Sequence, residues 1–196
     1  MALELFPTPS WPRPAFSIPF SAKRKRFPHT EEMTAFSLAG DSKTESAITS
    51  YWACDYENLF LAVEVIGTVD ATSDKAWRHG DGLLLALSPQ SDCKPVPCHI
   101  SLGLAGTTKK PQIVVINRGD ALFPQLDCAK VKYRLQQGSD KAKFFVTIPW
   151  SVLAPLRPLL YETIAVNLTF VRLGGGIHQL IPDPDFANAA ADLRRL

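Results

Sequence analysis

The chain of 196 residues lacks the features that mark several protein classes. No apolar run approaches the roughly 18 residues that a membrane-spanning helix needs, so we expect no membrane segment. The formal charge is only +2, which gives no general reason to expect nucleic acid as a partner. The four cysteines are not spaced like a zinc site. The 46% of hydrophobic residues in turn excludes a disordered chain and is ample for a core.

Motifs of catalysis are also missing. The sequence has no G-x-S-x-G elbow, no H-E-x-x-H pair and no glycine-rich phosphate loop at a strand–helix junction. Glycoside hydrolysis needs two opposed carboxylates, and Glu64 is the one acid placed within a strand pattern. We therefore expect a protein that is not an enzyme.

The first residues carry none of the parts of a secretory signal. They lack a basic start, an uninterrupted apolar stretch and a small-residue cleavage site. The sequence as written indicates the cytoplasm, while a leader outside the given sequence stays an alternative. The localisation is therefore unknown at this stage.

Proline and aromatic residues set the start of the chain apart. Residues 1–28 hold six prolines that alternate with Phe and Trp, which disfavours a regular helix or a central strand. We expect residues 1–34 to form an extended arm on the domain, with the aromatics as anchors. The four bases at positions 23–26 are interpreted as a solvated turn between two such anchors.

Alternation with a period of two dominates the chain from about residue 35 onward. Such patterns are typical of strands, and turn signals such as Gly-Asp and Gln-Gly-Ser-Asp separate them. Helical signals are confined to one turn near Trp150 and a short segment after Asp185. We expect residues 35–196 to form an all-β antiparallel sandwich with very little helix. The predicted strands lie at residues 59–66, 83–88, 113–116, 144–148 and 164–171.

Three landmarks, taken in order and spacing, resemble the family 9 carbohydrate-binding module, within the wider DOMON-like group. The first is the segment 52–65, followed by Trp77, Asp81 and an apolar strand. The second, residues 144–153, contains Ile-Pro-Trp, and the third consists of the strand 164–170 with the closing loop 182–186. The resemblance implies a sandwich of jelly-roll type with immunoglobulin-like layers. It also implies non-catalytic binding of a saccharide.

In that family the sugar binds between two tryptophans, and Trp77 matches the first of them. An indole buries the apolar C–H face of a pyranose, while polar side chains bond its hydroxyls. We expect Trp77 to stack on a sugar ring, with Arg78 and Asp81 beside it. Strand adjacency in the implied fold places the remaining expected ligand-binding residues across the cleft: Asn167, Arg172, His178 and Gln179.

The second clamp tryptophan has no match, because residues 181–186 contain no Trp. The alternative function is an interaction or structural sandwich that has lost sugar binding. Such a domain would use the same face for a protein partner or a second copy of the chain. We expect no cofactor, although the family often holds a structural calcium ion. Calcium needs several oxygen ligands, for which the loop acids are Asp70, Asp74, Asp183 and Asp185.

Overall fold

The chain folds into two layers of strands. The computed structural model describes residues 18–21, 26–40, 48–70, 81–89, 100–107, 110–117, 127–152, 164–173 and 176–180. Within them, sheet A contains β1 (Phe20–Ser21), β2 (Thr34–Ser37), β4 (Ile48–Asp55), β5 (Asn58–Ile66), β9 (Lys132–Gln137) and β10 (Lys141–Pro149). Sheet B contains β3 (Ala39–Gly40), β6 (Gly82–Pro89), β7 (Ile100–Thr107), β8 (Lys110–Asn117), β11 (Ile164–Val171) and β12 (Ile177–Gln179).

The pairing is antiparallel apart from a short parallel contact. Sheet A runs β1-β4-β5-β10-β9, with β2 also on β4, and sheet B runs β3-β12-β11-β6-β7-β8. The exception is β1, which pairs with β4 in parallel. Single 3-10 turns at Thr30–Glu32 and Cys128–Lys130 are the helical elements of the described residues, and none could cross a membrane. The predicted all-β antiparallel sandwich is confirmed.

Alternating side chains place the core between the two sheets. In β10, Phe144, Val146 and Ile148 are fully buried, whereas Phe145 and Thr147 lie on the outward side and are half-buried. Burial of one such large apolar side chain stabilises the fold by about 2 kcal/mol. The strands on both sides of this core follow the same rule, as shown by Trp52, Leu61, Val63, Leu83, Leu85, Leu102, Leu104, Leu168 and Phe170.

The core also contains polar aromatic side chains. Trp52 is 1% exposed, and its indole Nε1 donates to Ser50 Oγ at 3.0 Å. Tyr133 packs against Phe144, with ring centroids 6.2 Å apart. Because burial disfavours the charged phenolate, the pKa of Tyr133 is raised above its ordinary value.

A polar hairpin joins β4 to β5 and receives the end of β10. Asp55 Oδ1 accepts backbone hydrogen bonds from Glu57 at 2.8 Å and from Asn58 at 2.6 Å, which fixes the turn. Trp150 donates its indole Nε1 to the carbonyl oxygen of Asp55 at 2.9 Å and is 5% exposed. Trp150 is therefore a core residue, and it is followed by a single turn in which Val152 N donates to Pro149 O.

Two phenylalanines of the N-terminal segment contact the outward side of sheet A. Phe27 meets the rings of Phe60 and Phe145 edge-on, with centroids 5.6 Å and 5.2 Å away. Phe20 meets Tyr56 in the same manner at 4.8 Å, and both of these rings are about half exposed. Phe20 and Phe27 thus each pack against aromatic rings of the sheet A strands or of the turn before β5.

Other expectations lie outside the described residues. They concern residues 1–17 of the arm, the bases at positions 23–25 and the short helix expected after Asp185. Arg26, the last base of the run, is exposed and lies 4.0 Å from the carboxylate of Glu32.

Candidate functional site

A reciprocal pair of hydrogen bonds closes the base of the loop that carries Trp77. Asp81 N donates to the carbonyl oxygen of Asp70 at 2.8 Å, and Asp70 N donates to Asp81 Oδ2 at 2.6 Å. Residues 71–80, which include Trp77 and Arg78, lie outside the described residues. Their two ends are therefore fixed to each other at one end of the sandwich, where β5 has ended and β6 begins.

The carboxylate of Asp81 also binds the neighbouring hairpin. Its Oδ1 accepts a hydrogen bond from Leu173 N at 2.7 Å, just after β11. Asp81 is 4% exposed, and both of its carboxylate oxygens accept backbone amides. Hydrogen bonds to a charged acceptor are among the stronger ones in proteins. Asp81 therefore joins Asp70 to the β11–β12 hairpin, which is the turn-closing role that its Gly-Asp context favours.

Arg172 lies at the same end and reaches toward sheet A. A Cβ on Gly67 would lie 3.3 Å from Arg172 Nη2, so the guanidinium passes close to the backbone just after β5. Gly67 has φ +97°, a left-handed conformation that glycine adopts without strain, and its N donates to Asp140 O at 2.7 Å. Arg172 itself donates its backbone N to Gly176 O at 2.8 Å, which closes the β11–β12 hairpin.

Apolar surface is exposed at this end as well. Leu173 is 56% exposed and Ile66 is 48% exposed, although large apolar side chains of the described residues are mostly buried. Leu173 is also the residue whose amide Asp81 holds. We name the region formed by Ile66, Gly67, Asp81, Arg172 and Leu173 the loop end of the sandwich.

A row of shielded residues crosses the outward side of sheet B. Strand register aligns Gln179 with Thr169, Thr169 with Leu84, and Leu84 with Gly103. Thr169 lies between the core residues Leu168 and Phe170, so the row faces away from the core. Leu84, Thr169 and Gln179 are nevertheless only 3–6% exposed, and Gln179 Nε2 has no hydrogen-bond partner. The outward side of sheet B is therefore shielded from solvent along this row.

His178 lies on the opposite side of β12 from Gln179. It pairs with Phe170 and with Gly40, and its ring centroid is 6.4 Å from that of Phe170. A Cβ on Gly40 would collide with the imidazole, and His178 is 3% exposed. The strand pleat thus places His178 and Gln179 on opposite sides of β12.

The structure brings together only part of the expected set of ligand-binding residues. Asp81 and Arg172 meet at the loop end, and Gln179 lies in the shielded row. For Asn167 the structure describes the backbone, which pairs with Ala86. Sequence reasoning missed Leu173 and Thr169, because their importance depends on a hydrogen bond and a register that no motif encodes. Of the loop acids named for calcium, Asp74, Asp183 and Asp185 lie outside the described residues. Within the part of the chain that the structure describes, no group of three potential metal ligands was found.

Glu64, the acid that stood out within a strand, lies on the outward side of sheet A. Its Oε2 is 2.6 Å from Lys143 Nζ and 3.7 Å from Lys141 Nζ. The hydrogen bond from Lys143 lowers the pKa of Glu64 below its ordinary value. Glu64 is therefore held as an ionised partner of two lysines on the outward side of sheet A.

Comparison with known proteins gives a likeness in fold. No family model and no curated protein matches the chain. A family 9 carbohydrate-binding module from Caldicellulosiruptor kristjanssonii, solved with glucose, superposes with a TM-score of 0.58 at 8% identity, covering 83% of each chain. With cellotriose the module gives a TM-score of 0.55 at 9% identity, covering 85% of this chain and 80% of the module. A protein from Bacteroides uniformis gives 0.55 at 11% identity, covering 85% and 91%. The chain therefore has a sandwich fold like that of the family 9 carbohydrate-binding module.

Proposed function

We propose that this protein is a non-catalytic saccharide-binding sandwich that binds its ligand at the loop end. The observation that carries the proposal is the likeness in fold, over more than four-fifths of the chain, to a module solved with glucose and with cellotriose. Both of those ligands are neutral sugars. Their recognition needs a flat apolar surface and hydrogen-bonding groups rather than a compensating charge.

Trp77 supplies the flat surface in this proposal. The loop that carries it is closed by Asp70 and Asp81 and joined to the β11–β12 hairpin through Leu173. A loop with fixed ends loses less conformational entropy when it binds a ligand than a loop with free ends, so its affinity is higher. The indole stacks on a pyranose face, and the exposed side chain of Leu173 extends the apolar surface.

Charged side chains of the loop end bond the sugar hydroxyls. Arg172 lies beside Gly67 at the loop end, and Arg78 follows Trp77 directly in the sequence. A guanidinium carries five N–H donors, which suits the hydroxyl rim of a sugar. Asp81 contributes indirectly, because its oxygens are occupied by backbone amides.

Affinity electrophoresis in gels that contain soluble cellulose derivatives tests this role of Trp77. We expect the wild-type protein to be retarded and Trp77→Ala to migrate as it does in a gel without glycan. Tyr56→Ala is the matched control, because Tyr56 is an exposed aromatic residue that precedes β5, at the opposite end of the sandwich. Equal retardation of wild type and Trp77→Ala would contradict the proposed stacking.

A second candidate function follows from the shielded row on sheet B. Leu84, Thr169 and Gln179 face away from the core yet are almost fully buried, so solvent and ligands do not reach them. In a single chain such burial means that the chain itself covers the row, which favours a structural sandwich whose former ligand face is closed to a saccharide. It predicts no retardation by any glycan.

A further inference from the structure

Sheet A carries a pocket on its outward side, away from the loop end. The pocket has a volume of about 260 Å³ and is lined by residues from the N-terminal segment, β9 and β10. These residues are Phe27, Lys132, Tyr133, Arg134, Phe145 and Thr147. The proposed saccharide binding uses none of these lining residues, so an inference from the pocket stands independently of that proposal.

Aromatic rings form the floor of the pocket. Phe27 stands edge-on to Phe145 and to Phe60, at interplanar angles of 89° and 84°. Met33 and Ala53 pack with Phe60 in the same small cluster, which is separate from the main core. Because each ring is held by a neighbour, the apolar floor exists before any ligand arrives, and little entropy is lost in ordering it.

A guanidinium lies on this floor. Arg134 Cζ is 4.3 Å from the centroid of the Phe145 ring, and the two residues are direct cross-strand partners. A cation–π contact engages the ring face and uses none of the N–H donors of the guanidinium. Arg134 is therefore positioned while its donor fork stays available for a planar acceptor.

A second donor pair adjoins the first. Lys132 pairs with Thr147 across the same two strands, two residues along from Arg134 and Phe145. An ammonium group and a hydroxyl thus lie beside the guanidinium on one side of the pocket. Such a set of donors above an apolar floor fits a ligand with one acidic end and one apolar body.

The charge around the pocket favours an anion. The outward positions of β5, β9 and β10 hold one carboxylate, Glu64, and it is already bound by two lysines. Among the described residues no acid lies within ion-pair distance of Lys132 or Arg134. The cations on these strands are Lys132, Arg134, Lys141 and Lys143.

We propose that this pocket binds a small organic carboxylate whose body is a single ring. The volume of about 260 Å³ is just below the range of drug-sized sites, which begins at about 300 Å³, and so suits one ring rather than two. Arg134 receives the carboxylate through two parallel N–H donors, and Lys132 adds a second positive charge. The ring of the ligand lies against Phe27 and Phe145.

Isothermal titration of the full chain with benzoate, glucuronate, glucose and inorganic phosphate tests the proposal. We expect saturable binding of benzoate or glucuronate at millimolar concentration, and no binding of neutral glucose by the Trp77→Ala variant, which removes the loop-end site. Benzoate as the tighter ligand identifies an aromatic carboxylate, and glucuronate as the tighter ligand identifies an acidic sugar. Phosphate that binds as tightly as both carboxylates would overturn the proposal, because the aromatic floor would then contribute nothing.

Exposed positions provide variants that keep the fold. We expect Arg134→Gln to weaken carboxylate binding by about tenfold or more, and Arg134→Lys to restore only part of it, since lysine has no planar fork. Lys130→Gln is the matched control, because Lys130 is an exposed cation near the start of β9 that pairs with Asp127. Equal weakening by Arg134→Gln and Lys130→Gln would contradict a defined site, as would the absence of saturable binding to the wild type.

Discussion

Asp70 and Asp81 are eleven positions apart in sequence, yet each donates its backbone N–H to an oxygen of the other. The second oxygen of the Asp81 carboxylate accepts a hydrogen bond from Leu173 N, so one buried side chain joins Asp70 to the β11–β12 hairpin. Two structural units that would otherwise move independently are thereby fixed at the loop end. The proposed placement of Trp77 depends on this arrangement.

Replacement of Asp81 tests how much this arrangement stabilises the fold. Asparagine has the same shape as aspartate but only one side-chain oxygen. In Asp81→Asn one of the two backbone N–H groups therefore faces the side-chain NH2 group, which is itself a donor. We expect a loss of about 2 kcal/mol in the free energy of unfolding, measured by urea denaturation. Asp140→Asn, an exposed acid of the β9–β10 turn, serves as control and should change stability by less than about 0.5 kcal/mol. Equal effects of both substitutions would contradict the role of Asp81.

The ion pairs of Glu64 predict a small dependence of stability on pH. Lys143 lowers the pKa of Glu64 in the folded protein, so the contribution to stability is fully present above the unfolded value of 4.5. It is lost as the pH falls through the lower, folded value. Comparison of wild type with Glu64→Gln should give a difference of about 0.5 kcal/mol at pH 7 that disappears in acid. A difference that grows as the pH falls below 4.5 would contradict the assigned direction.

Gly40 and His178 predict a compensating pair of substitutions. A Cβ at Gly40 collides with the imidazole, so Gly40→Ala should destabilise the fold by about 1–3 kcal/mol through overpacking. His178→Ala removes the obstacle, and the double variant should lose less stability than the sum of the two single variants. Thermal unfolding of the four proteins measures this coupling. Strictly additive losses would place the imidazole away from Gly40.

The N-terminal segment is held more tightly at Phe27 than at Phe20. Phe27 is half-buried between two other phenylalanines, whereas Phe20 is 51% exposed beside Tyr56. We expect Phe27→Ala to lower the free energy of unfolding by about 2–3 kcal/mol and Phe20→Ala by about 1 kcal/mol or less. Guanidinium denaturation gives both values. A larger loss in the free energy of unfolding for Phe20→Ala than for Phe27→Ala would contradict this prediction.

Strands with strong apolar alternation were predictable from the sequence alone. The pattern of Phe144, Val146 and Ile148 contains the period of a strand and identifies its buried side. The strands β4 and β7 were not predicted, because serine, threonine and glycine interrupt their alternation. Their strand conformation is imposed by pairing with β5 and β6, which is a tertiary effect that no local pattern contains.

The candidate site was predictable only in part. The Gly-Asp signal before β6 correctly indicated that Asp81 closes a turn. The side of the sheet on which a residue lies was harder to predict for β12, a strand of three residues, because a shift of one position exchanges its two sides. The expected ligand-binding set named both His178 and Gln179, and the pleat places them on opposite sides of β12. The pocket on sheet A had no sequence signal, since its residues come from the N-terminal segment and from the distant β9–β10 hairpin.

The most direct test of the proposed function is calorimetric titration of the wild-type protein with cellotriose, repeated with Trp77→Ala. We expect saturable binding of cellotriose by the wild type, together with quenching of its tryptophan fluorescence. Trp77→Ala should lose both signals while it unfolds at the same temperature as the wild type. No heat of binding from the wild type at millimolar cellotriose, or the same affinity in both proteins, would contradict saccharide binding through the loop end.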